Sequence, residues 1–270
     1  MSDLQVEAPN VGRGRAGGER NPMPQQGLVT SRVVVERNFC LLPPEGVPAS
    51  VLPEWTATTA RILAAPALGA RFAMYLFEVG AEGGAGHKLP DGIEGFIYVL
   101  DGALELDLNS RGHRMSAGGF AYLTPGSRFR VHVKQRARVL CLKKRFQAFD
   151  HNPPHDVVGT EGEVKGEPFM DVQELLLKKL LPDDVSYDMA MNIFTFPPGF
   201  SLPITETHVM EHGLYMLQGQ GVYYLGDRWM EVKAGDFIWM GPFCPQSFYA
   251  TSSEPARYIY YKDVNRDVEL

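Results

Sequence analysis

The sequence has no run of about 18 consecutive apolar residues, so it offers no membrane-spanning helix. Its N-terminus lacks the charged-then-apolar order of a secretory signal. Cysteine is scarce. Cys40, Cys141 and Cys244 are odd in number and far apart, which excludes a disulfide framework and a zinc ribbon and suits a reducing cytoplasm. Cys40 and Cys141 lie in apolar runs and read as buried thiols. Positive charge is also in short supply. Lys and Arg number 26 against 32 Asp and Glu, giving a net charge of −6 and a pI near 5.7. A phosphate backbone needs a basic surface, so nucleic acid is excluded as a main partner.

What is present is a large apolar content, 44% of 270 residues, enough to bury a core and long enough to favour two domains over one. Residues 1–27 are rich in Gly, Pro, Asn and Arg and are expected to form a disordered tail, with Arg13, Arg15 and Arg20 solvated. From Leu28 onward, short runs rich in Val, Phe, Tyr and Leu alternate with Gly, Pro and Asp turns. That texture predicts an all-β fold at barrel or sandwich spacing. Residues 151–170 carry Pro-Pro and several Gly and read as a linker. Only Asp171 to Leu181, DVQELLLKKLL, predicts a helix, with Asp171 as N-cap and Pro182 beyond the end.

The strand texture repeats. FAMYLFEV at Phe72 aligns with MAMNIFTF at Met189, FIYVLDG at Phe96 with GLYMLQG at Gly213, and AGGFAYL at Ala117 with AGDFIWM at Ala234, all at an offset of 117 residues. A fourth pair, at Ala137 and Ala256, needs an offset of 119, a small loop insertion. The chain therefore divides into an N-terminal domain over 28–150 and a C-terminal domain over 171–270, two copies of one β unit.

The chemistry-bearing residues cluster between Gly199 and Gly219. Glu206, His208 and His212 are spaced E-x-H-x3-H. Residues two apart on a strand share a face, so Glu206 and His208 can point into one cavity. His212, at the start of the next strand, can return to it. A carboxylate and two imidazoles converging there make a metal site. The repeat supplies a control, because the matching positions in the first copy are Leu89, Asp91 and Gly95. A cluster serving only the fold should appear in both copies. His87 and Glu94 lie near the corresponding place in the first copy, where a weaker site is conceivable.

This pattern resembles the cupin superfamily, whose first motif is G-x5-H-x-H-x3,4-E-x6-G and whose second is G-x5-P-x2,3-H-x3-N. Gly199 and Gly219 bound the first motif, Glu206 replaces its first His, and His212 stands where its Glu usually is. In the second, Gly235, Asp236 and Pro242 fit, and Gln246 falls about where the last His belongs, with Phe129 its counterpart in the first copy. The resemblance implies two tandem cupin (jelly-roll) barrels, the second binding metal and the first not. A Glu, two His and a Gln amide oxygen form a sulfur-free set that suits Mn2+, with Fe2+ or Ni2+ also possible. One carboxylate against a divalent cation leaves about one positive charge, so the expected partner is a small anionic molecule.

ETHVMEHG, the following LQGQGVYYL and the closing YIYYKDVNRDVEL together resemble the (S)-ureidoglycine aminohydrolase family of allantoin (purine) catabolism. The resemblance covers nearly the whole chain after the tail. It implies Mn2+-dependent hydrolysis of (S)-ureidoglycine to (S)-ureidoglycolate and ammonia. It places the metal ligands on Glu206, His208, His212 and Gln246, and substrate contacts on Tyr223, Tyr258 and Lys262. Tyr223 can exchange hydrogen bonds with a ureido group. Lys262 can pair with a carboxylate or act as a base, although Lys143 holds the matching place in the first copy. Otherwise Tyr258 is a packed core aromatic and Lys262 a surface lysine. Glu211, beside His212, is a candidate for a supporting catalytic role, and Cys244 reads as packed. The expected assembly is a homo-oligomer of a size the sequence does not give. Two other readings stay open: a bicupin metal dioxygenase and a non-enzymatic ligand-binding cupin.

Overall fold

The computed structural model describes residues 31–149 and 152–268; the tail expected over 1–27 lies outside the described residues. The first half forms β1 (Val34–Val35), β2 (Phe39–Leu42), β3 (Trp55–Ala64), β4 (Phe72–Lys88), β5 (Ile93–Leu108), β6 (Arg111–Ser116), β7 (Gly119–Leu123), β8 (Arg128–Val133) and β9 (Ala137–Arg145). The second half forms β10 (Val157–Thr160), β11 (Glu167–Phe169), β12 (Val172–Lys179), β13 (Met189–Phe196), β14 (His212–Gln218), β15 (Gln220–Leu225), β16 (Arg228–Lys233), β17 (Phe237–Met240), β18 (Gln246–Ala250) and β19 (Ala256–Asp263). The fold is all-β and repeats as the 117-residue offset requires. No helix among the described residues is long and apolar enough to cross a membrane.

Three cores follow from the two-residue period of the strands. Along β9, Val139 and Cys141 point into the N-terminal barrel, while Leu140 and Leu142 point out against the other domain. Along β19, Tyr258 faces the C-terminal barrel while Ile259 and Tyr261 face the domain interface. Strands buried on both faces read as continuous apolar runs, which is why FIYVL and GFAYL show no polar alternation. At the interface each fully buried large side chain, such as Phe72 or Tyr261, contributes about 1.5–3 kcal/mol. Gly213 is small for a reason that belongs to this interface: a Cβ there would lie 2.4 Å from the Phe72 ring.

The leading strands are exchanged between domains. β2 pairs with β17 of the C-terminal sheet, Trp239 opposite Cys40. β10, its repeat mate, pairs with β7 of the N-terminal sheet, Tyr122 opposite Val157. The Arg32 guanidinium latches the first of these crossings through two hydrogen bonds to the buried Asp236 carboxylate, at 2.5 and 2.9 Å. The segment 151–170, expected as a linker, thus supplies a strand to each sheet: β10 to one and β11 to the other.

The helix expected over Asp171–Leu181 is not formed. Val172–Lys179 is β12, paired with β13 through Leu176 opposite Thr195 and Lys179 opposite Asn192. Met170 and Asp171 have φ of 50° and 63°, making a two-residue turn that closes a hairpin from Phe169 to Val172. Asp171 therefore turns a hairpin rather than capping a helix. The helix-forming composition yields to pairing with β13 and to burial of Leu175, Leu180 and Leu181.

Candidate active site

The site residues come from four strands of the barrel and from the loop that leads into β14, which carries His208. Glu206 and Gln246 form an isolated antiparallel bridge, Glu206 N donating to Gln246 O at 2.8 Å and Gln246 N to Glu206 O at 2.9 Å. Directly opposed residues project their side chains to the same face. His212 opens β14, with Met240 opposite on one side and Lys262 on the other. Tyr258, Tyr260 and Lys262 alternate along β19 and so share the inward face. The result is a cavity of about 360 Å³ in the C-terminal barrel, lined among others by Glu206, His208, His212, Tyr223, Gln246 and Lys262. Tyr258 also lines it.

The imidazoles are held by backbone carbonyls. His208 Nδ1 lies 3.1 Å from Met210 O, and His212 Nδ1 lies 3.2 Å from Tyr261 O. Only N–H satisfies a carbonyl, so both Nε2 atoms present bare lone pairs. These two Nε2 atoms are 3.1 Å apart, and the Gln246 carboxamide lies 3.3 Å from that of His208. Burial lowers both histidines, with Lys262 adding to the effect, and His212 is pushed down to about 3. Burial raises Glu206, and Lys262 opposes that. Neutral imidazoles whose lone pairs meet, beside a carboxamide that can turn its oxygen to them, form a donor set that fits a divalent cation. Among the described residues no three His, Cys, Asp or Glu side chains close into a ready-made cage. The tight part is the two histidines and Gln246, with Glu206 on the same cavity wall.

Glu211 is placed elsewhere. Its carboxylate accepts from Arg71 N at 2.9 Å and Trp239 Nε1 at 3.1 Å, on the domain-interface side of the chain. Its N–H donates to Asp263 at 2.6 Å. It braces the start of β14 and does not line the cavity, so its carboxylate is out of direct reach of a substrate there and any supporting role runs through His212. The repeat explains the site. Glu94, 117 residues earlier, accepts from Tyr122 at 2.6 Å, just as Glu211 accepts from Trp239. The polar lining of the cavity that the sequence did not single out includes Asn192 and Tyr260, together with Lys179, Asp183, Asp184 and Asn265. Tyr260 carried a signal, its spacing of two from both Tyr258 and Lys262. Asn192 carried another, as the one polar side chain in MAMNIF.

The first copy is closed where the second is open. Trp55 and Phe77 stack at 4.0 Å, leaving a cavity of about 30 Å³. Leu89 is buried and Asp91 turns outward to Lys88 at 2.8 Å. His87 meets the edge of Phe129, and its buried Nδ1 has no partner among the described residues. A larger groove of about 990 Å³ crosses the outside of this domain, past Glu82 and His132. That groove lies more open to solvent than the barrel cavity, and it is the barrel cavity that gathers the two bare histidine nitrogens, which makes it the candidate site.

The sequence is 36% identical over 251 residues to (S)-ureidoglycine aminohydrolase of Escherichia coli (strain K12), covering 91% of this chain and 96% of that protein. The chain belongs to the (S)-ureidoglycine aminohydrolase family. By that membership it is an enzyme, an aminohydrolase. The family member from Arabidopsis thaliana is 36% identical, over 88% of this chain and 79% of that one. The crystal structure of protein Ylba from E. coli superposes with a TM-score of 0.81 at 36% identity, covering 90% of this chain and 98% of that one. The cupin-domain family model matches residues 192–261, the part that holds every candidate ligand. The architecture is thus two tandem cupin barrels.

Proposed function

We propose that this enzyme hydrolyses (S)-ureidoglycine to (S)-ureidoglycolate and ammonia in the allantoin branch of purine catabolism, with Mn2+ held by Glu206, His208, His212 and Gln246. The observation that carries the metal assignment is the meeting of two bare Nε2 atoms at 3.1 Å beside Gln246. The substrate assignment rests on the family and on the charge of the cavity.

A divalent cation bound there supplies Lewis-acid polarisation and a fixed point for an anionic substrate. The residues of the chain do the rest. Lys262 lies opposite His212 across the strand pair and presents an ammonium to the substrate carboxylate. Tyr223 and Tyr258 form an almost fully buried wall, with ring centroids 6.2 Å apart, and keep bulk water from the reacting carbon. At that carbon a C–N bond breaks and a C–O bond forms. Water supplies the oxygen and gives up one proton to the site, and the amine takes one proton from the site and leaves as ammonia, so the site ends with the protons it began with. Holding both ends of the substrate fixes which face the water reaches, and therefore the handedness of the product.

The test is ammonia release from enzymatically generated ureidoglycine, run beside an oxygen electrode. Ammonia without oxygen uptake is expected. Oxygen consumption without ammonia would replace hydrolysis with dioxygenase chemistry.

A further inference from the structure

The strands of the C-terminal barrel order the cavity in rungs. On one rung Lys262 stands between His212 and Ala190; on the next, Tyr260 stands between Leu214 and Asn192. The third holds Tyr258 between Met216 and Phe194. The first rung carries the Lys262 ammonium; Lys179, opposite Asn192 on β12, also lines the cavity with Asp183 and Asp184. The third is aromatic and apolar. The second carries a pair that neither the metal assignment nor the carboxylate contact uses.

Asn192 Nδ2 donates to Tyr260 OH at 3.2 Å. Asn192 is 7% exposed, so its carboxamide is held in a nearly dry wall. That bond leaves the Asn192 oxygen free to accept and the Tyr260 hydroxyl proton free to donate. Turning the amide over exchanges the roles and still leaves one donor and one acceptor. Neither has another protein partner among the described residues. Neither group is among the fully buried, partnerless polar atoms of the described residues, so the pair opens on the cavity and can exchange water for a ligand that offers the complementary pair. The Tyr260 ring stands 5.5 Å from the His212 ring, which puts the pair beside the candidate metal ligands.

A terminal ureido group has that complementary form, a carbonyl oxygen beside N–H donors. Rungs two residues apart are separated by about 7 Å. The span from a carboxylate carbon to the far nitrogen of a ureido group on the same carbon is about 5 Å, four bonds of ordinary length. One end can therefore reach Lys262 while the other reaches the next rung.

We propose that Asn192 and Tyr260 form the subsite that recognises the ureido end of the substrate and distinguishes a carbamoyl from an acyl group. This inference rests on the function proposed above. The test is calorimetric binding of two stable anions, N-carbamoylglycine and N-acetylglycine, to the full-length, Mn2+-loaded protein. The second replaces the terminal amine with a methyl group. Wild type is expected to bind N-carbamoylglycine at least about 10-fold tighter, since an unmet polar pair penalises the methyl compound. In Asn192→Leu and in Tyr260→Phe that preference should shrink to within about threefold, with N-acetylglycine affinity and Mn2+ content unchanged. Tyr260→Phe keeps the packed ring and so decides the matter if the leucine variant does not fold. Ammonia release by wild type together with an undiminished preference in Tyr260→Phe would overturn the subsite while leaving the proposed function in place. Ammonia release by wild type without a preference between the two anions would likewise overturn the subsite alone, and failure of wild type to release ammonia would overturn both.

Discussion

Lys262→Met removes an ammonium and keeps much of the side-chain length. The structure makes its effect on stability small and its effect on rate large. Lys262 is half-buried, and its charge lowers His208 and His212 and favours the ionised form of Glu206. Without bound metal its surroundings are mixed in sign, so its removal should change folding stability by less than about 1 kcal/mol. Toward substrate the case differs. A hydrogen bond between an ammonium and a carboxylate contributes about 1.5–3 kcal/mol, or about 10- to 150-fold. A positioned acid or base contributes about 100- to 10,000-fold. We expect the variant to fold, to bind one Mn2+ and to lose about 10- to 150-fold in kcat/KM from the lost carboxylate contact, and at least about 100-fold in kcat if the amine also moves a proton. The assay is steady-state ammonia release, with metal content measured on the same sample. A rise in KM at constant kcat would show that the amine only anchors the ground state. Wild-type kinetics would return Lys262 to an ordinary strand lysine and refute the reasoning.

His208→Ala should lose metal and activity together, because it removes one of the two converging nitrogens; retention of full Mn2+ content, measured by elemental analysis, would contradict the ligand assignment. Asp91→Ala and His87→Ala should keep most of the turnover, since the first barrel is filled by Trp55 and Phe77; a loss of 100-fold, about 2.7 kcal/mol, in folded, metal-replete protein would contradict that. Glu94 shares buried Lys144 with Asp188, at 3.1 and 2.6 Å, and burial pushes it above its ordinary value of 4.5. A carboxyl raised on folding holds a proton that the unfolded chain releases, so its cost appears as pH climbs above the unfolded value. Glu94→Gln keeps the contacts to Tyr122 and Lys144 and should flatten the fall in Tm between pH 5 and 8; parallel wild-type and variant curves would sink this reading.

Much of this was legible in the sequence, for reasons that can be named. A constant offset over three segments marks duplication whatever the fold, and ligand-type residues in one copy only mark a candidate site. Glu206, His208 and His212 come together because the Glu206–Gln246 bridge and the start of β14 hold the two ends of the short loop that carries His208. Non-local pairing was not legible. Nothing near Cys40 announces a partner at Trp239 some 200 residues away. DVQELLLKK has helix-forming composition, and only its register with β13 makes it a strand. Met170 and Asp171 form a tight turn without the usual Asn-Gly or Asp-Gly signal. Glu211 sits next to a candidate ligand in sequence, yet the alternation of side chains sends it to the opposite face. The same alternation admits Tyr260, two residues from Lys262.

The most direct measurement follows ammonia from (S)-ureidoglycine through metal removal and return. Purified protein is assayed as isolated, after EDTA and dialysis, and after titration with Mn2+. The account predicts release that vanishes with the metal and returns in proportion to Mn2+ up to about one ion per chain, with (S)-ureidoglycolate formed mole for mole. Ammonia release undiminished in metal-free protein, or full metal reloading with no ammonia, would contradict it.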